Sequence, residues 1–299
     1  MGKGGTGKST VAAALGLAAV RAGKRVLICE IAGRRQVWDA LAGGAAADPY
    51  AETEIVPGLH AVSIDPESAL EEYLRSQLPS RALFELLRRS RMFQYLVAAA
   101  PGARELLTIG KVWETAQLDR PWTEAERRYD LVVVDAPATG HGLALLNAPR
   151  TFGEIARVGR IRRQAGKIDG FLRDPQSCGV IGVSLCEELP VSETAEFAQR
   201  LRGEMALEFE LIVANALLPD RFSEQDAAAL RSVDGAARSP IARNGISAAL
   251  REHSRAGSQR EHLSRLAEHG PITELPQVFA PELGLVELTF LSEVLERAL

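Results

Sequence analysis

The sequence is poor in aromatic residues and carries no excess of positive charge. Aromatic residues make up 5% of the 299 positions, so the core that its 46% hydrophobic residues can build must be mainly aliphatic. The formal net charge of −4 removes the electrostatic basis for a general nucleic-acid binder. No apolar run approaches the roughly 20 residues that a membrane helix needs. We therefore expect a globular protein with no transmembrane segment and no nucleic-acid partner.

Cysteine is also scarce, and its pattern is not that of a secreted protein. The three cysteines, Cys29, Cys178 and Cys186, lie in apolar, strand-like sequence, and no CxxC pair occurs. Buried free thiols are the common state of such residues. The first residues lack the apolar segment of about 7–15 residues that a secretory signal contains. These features predict a cytoplasmic protein.

Apolar runs typical of buried strands alternate with segments of helical periodicity. This alternation indicates an α/β fold with a mainly parallel, doubly wound sheet and helical insertions. The candidate strands cover residues 25–30, 59–64, 131–135, 179–185, 209–215 and 274–279. We expect one domain over residues 1–299, with helical insertions at about 66–127 and 149–173 and a charged helical stretch at 223–269.

The N-terminus carries a phosphate-binding motif. Residues 2–9 read GKGGTGKS and match G-x-x-x-x-G-K-[ST]. In such a loop, backbone N–H groups surround phosphate oxygens, the final lysine contacts the β- and γ-phosphates, and the final hydroxyl ligates Mg²⁺. The helix predicted from residue 9 onwards adds its dipole to this cradle. The predicted binding residues are Gly4, Gly5, Thr6, Gly7, Lys8, Ser9 and Thr10.

A strand normally precedes such a loop, and here only Met1 does. We expect either a start that is placed too late or a truncated chain. A misplaced start is favoured, because a parallel sheet without its central strand would leave a row of unpaired backbone groups.

A carboxylate ends the strand predicted at residues 131–135. Asp135 follows the run LVVV, which places it at the carboxyl edge of the sheet beside the loop, where it can orient a Mg²⁺-bound water. The alternative is an Asp that only caps the strand end. Gly140 is free to turn its amide toward a γ-phosphate. His141 beside it is either a solvated residue or a catalytic one.

These motifs resemble a known family. The extra lysine of the loop, Lys3, resembles the signature lysine of the deviant Walker A motif in MinD-like P-loop ATPases. Residues 135–143, DAPATGHGL, resemble the switch II segment D-T-A-P-T-G-H-T-L of the ArsA family, the arsenite-pump and tail-anchored-protein-targeting ATPases. Residues 187–194, 215–219 and 275–279 are similar to further family segments in the same order.

The resemblance implies an ATPase that uses ATP and Mg²⁺ and forms a dimer. It implies that Lys3 reaches the nucleotide of the opposing subunit, that Asn215 contacts adenine, and that Ser9 and Asp135 hold the metal. The dimer is either a homodimer or a heterodimer with a paralogous ATPase, and the client protein is unknown.

The chain departs from the family pattern after its first predicted strand. Where the family reads S-T-D-P-A-H, alignment puts Ala32-Gly33 at the D-P, so the carboxylate that polarises the attacking water is missing. Such help is typically worth ~10²–10⁴ in rate, and its loss predicts slow hydrolysis. Glu30 is either its catalytic substitute or a plain strand-end acid. Arg34 and Arg35 either contact phosphate or form an exposed basic pair.

Further departures concern the role within the family. The zinc-binding CxxC of the targeting ATPases is absent, and Cys178 and Cys186 offer no obvious arsenite site, which disfavours metalloid transport. The apolar stripe around Met92 is either helix core or a client groove. We expect a dimer-forming, ATP-hydrolysing switch. The alternatives are a catalytically weak ATP-binding subunit that pairs with an active paralogue, and a phosphotransferase for which no substrate site is identifiable.

Overall fold

A mainly parallel sheet in two parts, flanked by helices, forms the centre of the protein. The computed structural model describes residues 1–31, 33–43, 48–78, 102–117, 129–155, 159–234 and 239–297. Ala32, Met92 and the segments 79–101 and 118–128 of the predicted insertion lie outside the described residues.

The first part of the sheet contains four strands in the order β2-β3-β1-β4. They are β1 (Val26–Ile31), β2 (Thr53–Val56), β3 (Leu59–Ile64) and β4 (Leu131–Asp135). β1 pairs in parallel with both β3 and β4, whereas β2 runs antiparallel to β3. All six residues of β1 are buried, as expected for an inner parallel strand covered on both faces.

The second part contains three parallel strands in the order β5-β6-β7. They are β5 (Val180–Leu185), β6 (Phe209–Leu217) and β7 (Ile272–Pro276). In open α/β sheets, ligands bind at the edge formed by the carboxyl ends of the parallel strands. Each part of this sheet has such an edge.

Residues 1 and 2 join the two parts of the sheet. Gly2 forms a parallel bridge with Ala138, just beyond β4, and its carbonyl accepts a hydrogen bond from Thr139 N at 3.1 Å. On the other side, Met1 N donates to Ile181 O, and Val183 N donates to Met1 O at 2.7 Å. We call this junction between β4 and β5 the seam.

Ten α-helices lie in the described part of the chain. They are α1 (Lys8–Arg21), α2 (Gln36–Ala42), α3 (Pro66–Gln77), α4 (Ala103–Ala116), α5 (Thr139–Ile155), α6 (Arg160–Arg173), α7 (Glu188–Arg200), α8 (Glu224–Asp234), α9 (Pro240–Leu266) and α10 (Leu285–Glu296). A π-helical turn (Leu201–Met205) extends α7, and a 3₁₀ turn (Ala267–His269) follows α9. No helix of the described segments is both long and apolar enough to cross a membrane.

Helix α1 packs against both parts of the sheet. One set of its residues, which includes Ala13 and Leu17, contacts the core side chains of β1 and β3. Another set, Val11 and Ala14, packs with Val183 and neighbouring residues of the second part. The small side chains of this Ala-rich helix allow the close approach. The loop before α1 is thereby held at the seam.

The predicted fold class is confirmed, with differences at particular elements. The predicted strands 59–64 and 131–135 have the observed bounds, whereas the last strand covers Ile272–Pro276 rather than 274–279. Strand β2 is not among the predicted strands, because it is short and half-exposed and lacks the apolar run that marks the inner strands. The predicted stretch at 223–269 contains α8 and α9.

Candidate functional site: the phosphate loop

The loop before α1 has the backbone conformation that its glycines permit. Gly5 has φ +84° and Gly7 has φ +89°, both in the left-handed region that glycine adopts without strain. A Cβ on Gly4 or Gly5 would meet nothing within 4 Å, so this side of the loop is open. A Cβ on Gly7 would lie 2.2 Å from Asn215 Nδ2, so this position also requires glycine for space.

Three side chains hold the loop in this shape. The buried Thr6 hydroxyl donates to Lys3 O at 3.0 Å, and Lys8 Nζ donates to the same carbonyl at 2.7 Å. Asn215, near the end of β6, donates from Nδ2 to Thr6 O at 2.9 Å. The loop is therefore preorganised by its own residues and by β6.

The electrostatics of Lys8 are suited to an anion. Burial lowers the pKa of Lys8 below its ordinary value, the Asp135 carboxylate opposes this shift, and the Arg34 guanidinium adds to it. A second cation therefore acts on the same site. A phosphate placed between these groups would stabilise both charges.

Ser9 and Asp135 meet at the first turn of α1. The Ser9 hydroxyl lies 2.6 Å from Asp135 Oδ2, and Asp135 is only 2% exposed. Its other oxygen, Oδ1, is buried and has no hydrogen-bond partner in the described structure. A hydroxyl beside an unsatisfied buried carboxylate oxygen is a donor set that fits Mg²⁺, which takes one or two protein oxygens and fills its other positions with water and phosphate.

Gln36 also reaches Ser9, and the sequence analysis did not identify it. The Ser9 hydroxyl lies 2.7 Å from the side-chain amide oxygen of Gln36, at the start of α2. Because a hydroxyl has a single proton, it can donate to Asp135 or to Gln36 but not to both. The sequence offered no signal for this contact, since Gln36 belongs to no recognised motif.

Glu30 also lies at the start of α2. It is 1% exposed, and its two oxygens accept hydrogen bonds from Val37 N at 2.9 Å and Trp38 N at 3.2 Å. The carboxylate therefore caps the N-terminus of α2, where backbone N–H groups lack helical partners. Burial raises the pKa of Glu30, and the hydrogen bonds from α2 partly oppose this shift. This geometry favours the interpretation of Glu30 as a strand-end acid over its interpretation as a catalytic substitute for the missing carboxylate.

The two arginines after Ala32 have different surroundings. Ala32 itself is not among the described residues. Arg34 is exposed, and its carbonyl accepts a hydrogen bond from the Ser63 hydroxyl at 2.7 Å. Arg35 places its guanidinium 5.7 Å from the centre of the Trp38 ring, a cation–π contact. Arg34 is thus the member of the pair that remains available to a ligand.

The side chain of Lys3 contacts α7. Its ammonium lies 3.2 Å from Glu193 Oε1. Glu193 belongs to the segment at 187–194, and no sequence pattern pairs it with Lys3, because the two residues are far apart in the chain.

The segment after β4 borders the loop. Gly140 and His141 are exposed in the first turn of α5, and a Cβ on Gly140 would meet nothing within 4 Å. Thr139, which precedes them, bonds to Gly2 O. The structure thus brings this segment to the loop while leaving its Gly140 amide region accessible.

Asn215 lies at a tightly held irregularity near the end of β6. Ala216 has φ +59°, an unusual left-handed value for a residue with a side chain. Gln259 of α9 donates from Nε2 to Ala216 O at 3.2 Å and accepts from Leu218 N at 2.8 Å. Gln259 is a second residue that the sequence analysis missed. The amide of Asn215 is engaged with the loop in this arrangement.

The chain is similar in sequence to known ATPases. The family model described as anion-transporting ATPase, ArsA_ATPase, matches residues 1–169. The chain is 34% identical to the ATPase BagA of Mycobacterium tuberculosis over 236 residues, which are 76% of this chain and 66% of that protein.

More distant relatives are also ATPases by name. The chain is 27% identical to an arsenical pump-driving ATPase of Acidiphilium multivorum, over 76% of this chain and 40% of that protein. It is 21% identical to the ATPase ASNA1 homolog 1 of Paramecium tetraurelia, over 73% of this chain and 74% of that protein. The match thus spans just under two thirds of the mycobacterial relative and less than half of the pump ATPase.

Proposed function

Because the chain belongs to the ArsA family of ATPases, we propose that it binds Mg·ATP in the loop at residues 2–10 and acts as a dimer-forming, ATP-hydrolysing switch. The observation that carries this proposal is the convergence of the open glycine loop, Lys8 and the Ser9–Asp135 pair at the carboxyl edge of the sheet.

The residues of the site have distinct tasks in this proposal. The backbone N–H groups of Gly4, Gly5 and Gly7 surround the β-phosphate, and Lys8 exchanges its bond to Lys3 O for phosphate oxygens. Ser9 and Asp135 hold Mg²⁺, which neutralises charge on the β- and γ-phosphates when bound. Arg34, which is exposed and acts electrostatically on Lys8, would add a contact to the γ-phosphate.

The dimer and the switch belong to the same proposal. ATP would close two subunits, and hydrolysis would reopen them, with Lys3 reaching the nucleotide of the facing subunit. The partner copy is either identical or a paralogous ATPase, and the client is a protein. A cytoplasmic location is included, supported by three cysteines that are all free thiols.

Calorimetry of Mg·ATP binding tests the assignment of the loop. The Lys8→Ala variant should lose measurable binding, because the ammonium and the amide cradle act on the same phosphates. Lys24→Ala is the matched control, since Lys24 lies beyond α1 and outside the loop. Equal affinity of the Lys8 variant and the wild type would refute the proposed site.

A second candidate is a subunit that binds ATP without hydrolysing it. This candidate is favoured by Ala32 at the position of the family carboxylate and by Glu30, whose two oxygens already accept hydrogen bonds from α2. Steady-state phosphate release by the purified chain, alone and mixed with a paralogue, separates the two functions. Negligible turnover alone, together with Mg·ATP binding, would favour this candidate.

A further inference from the structure

The position of Gln36 bears on how hydrolysis proceeds without the family carboxylate. Its side chain ends 2.7 Å from Ser9 Oγ, and Ser9 in turn lies 2.6 Å from Asp135. Gln36 is the first residue of α2 and is exposed, so its amide lies at the protein surface beside Ser9. Its side chain is thus within reach of the groups that hold the metal and the terminal phosphate.

The backbone around Gln36 is anchored from two strands. Glu30, on β1, accepts hydrogen bonds from the N–H groups of the next two residues, Val37 and Trp38. Ser63, on β3, donates to the carbonyl of Arg34 on the other side. A polar side chain on so constrained a backbone can hold a small molecule in a defined orientation with little loss of entropy.

None of three carboxylates near this position is shown in contact with the Gln36 side chain. Asp135 contacts Ser9 and lies at the metal position. Glu30 accepts hydrogen bonds at both oxygens. Asp39 lies one helical turn further along α2 and is exposed. An uncharged amide is therefore the polar side chain that projects from the start of α2 to the site.

We propose that Gln36 positions the attacking water in place of the missing carboxylate, an inference that rests on the proposed function. Its amide oxygen accepts a hydrogen bond from the water, and its amide nitrogen donates to a γ-phosphate oxygen. A glutamine performs this task in small GTPases. The side chain moves from Ser9 to the water when nucleotide and metal occupy the site.

The reaction balances without a protein base. The water oxygen forms a bond to the γ-phosphorus, and the bond from that phosphorus to the β–γ bridging oxygen breaks. ADP leaves with the electron pair. Because an amide does not take up a proton at neutral pH, the proton of the water passes to an oxygen of the departing phosphate.

The test separates the effect of Gln36 on catalysis from its effect on binding. Gln36→Ala should lower kcat about 10²-fold while changing the affinity for Mg·ATP less than about threefold. It should lower affinity for Mg·ADP with aluminium fluoride, a mimic of the transferring phosphoryl group, by a similar factor to kcat. For Gln36→Asn, whose side chain is shorter by one methylene, we expect a kcat between those of the wild type and Gln36→Ala. Asp39→Asn on the same helix is the control and should match the wild type.

Each outcome bears on the proposal. A kcat of Gln36→Ala within about threefold of wild type would overturn it, as would an equal loss of affinity for Mg·ATP and for the mimic. A wild-type chain that binds Mg·ATP without turnover would overturn the role of Gln36 and leave nucleotide binding intact. A wild-type chain that fails to bind Mg·ATP would overturn the proposed function as well.

Discussion

Lys3 and Glu193 form an ion pair in which the ammonium nitrogen lies 3.2 Å from the carboxylate oxygen and both side chains are about one third exposed, at 31% and 32%. At this exposure an ion pair contributes roughly 0–1 kcal/mol. A phosphate, with more charge and more acceptor oxygens, can therefore displace Glu193 as the partner of Lys3. In the proposed dimer, the pair would hold Lys3 on its own subunit until the nucleotide of the facing subunit takes the place of Glu193.

Removal of Glu193 should favour the dimer. If Lys3 acts on the facing subunit, Glu193→Gln frees it and should raise ATP-dependent dimerisation by up to about fivefold, the equivalent of a one-third-exposed ion pair. Lys3→Ala should abolish this dimerisation and leave ATP affinity of the monomer nearly unchanged. Sedimentation velocity in Mg·ATP measures both effects.

Glu196→Gln, on the same helix, is the control for a change of charge on α7. An unchanged dimer fraction in Glu193→Gln would mean that the ion pair does not compete with assembly. A loss of monomer affinity in Lys3→Ala would instead place Lys3 in the site of its own subunit.

Gly7 should be less tolerant of substitution than Gly4. Gly7→Ala places a side chain at φ +89° and within 2.2 Å of Asn215 Nδ2, whereas Gly4 has open space around it. The backbone strain alone is worth about 1–2 kcal/mol, and the clash adds to it. We expect Gly7→Ala to lose at least about 2 kcal/mol of unfolding free energy in urea and Gly4→Ala less than about 0.5 kcal/mol. Equal losses would show that the loop relaxes freely.

Asn215 offers a way to separate loop support from base recognition. Its hydrogen bond to Thr6 O predicts that Asn215→Ala weakens the cradle by about 0.5–1.5 kcal/mol, a loss of about two- to tenfold in affinity. If Asn215 supports the loop, calorimetry should show the same loss for ATP and for inorganic triphosphate. If it contacts adenine, as the family resemblance implies, only ATP should bind less tightly.

Glu30 predicts a pH dependence of stability. Burial raises its pKa above the ordinary value of 4.5, so the unfolded chain releases this proton at lower pH than the folded chain. Its contribution is therefore complete below the ordinary pKa of glutamate and is lost as the pH rises through the raised pKa. In Glu30→Gln this part of the pH dependence should disappear. Thermal unfolding of both proteins between about pH 4 and 8 measures the difference.

The Glu30→Gln variant also tests whether Glu30 takes part in catalysis. As a cap of α2, Glu30 affects turnover only through the position of the helix, so the loss of turnover in Glu30→Gln should be smaller than in Gln36→Ala. A loss of about 10²-fold or more with unchanged ATP affinity would instead assign Glu30 to the water. Ala32→Asp, which restores a carboxylate at the family position, is the complementary gain-of-function variant.

The parts of the site that follow from local sequence were predictable. A glycine-rich motif determines its own turn, and a strand-end aspartate in a parallel sheet must lie at the carboxyl edge, so Ser9 and Asp135 could be brought together before any coordinates. Gln36, Glu193 and Gln259 could not, because each acts through side-chain contacts with residues that are distant in the sequence. Strand β2 could not be predicted for a related reason. Its pairing with β3, rather than its own sequence, makes it a strand.

The seam has a consequence for cooperativity. In the described part of the chain, the backbone hydrogen bonds between the two parts of the sheet run through residues 1 and 2, which lead directly into the phosphate loop. A ligand that binds only the joined form must stabilise the junction by the free energy of its binding, about 2.7 kcal/mol at 100 times its Kd. A bound nucleotide then stabilises the association of the two parts of the sheet. Amide exchange along β4 and β5 should slow as the ATP concentration rises.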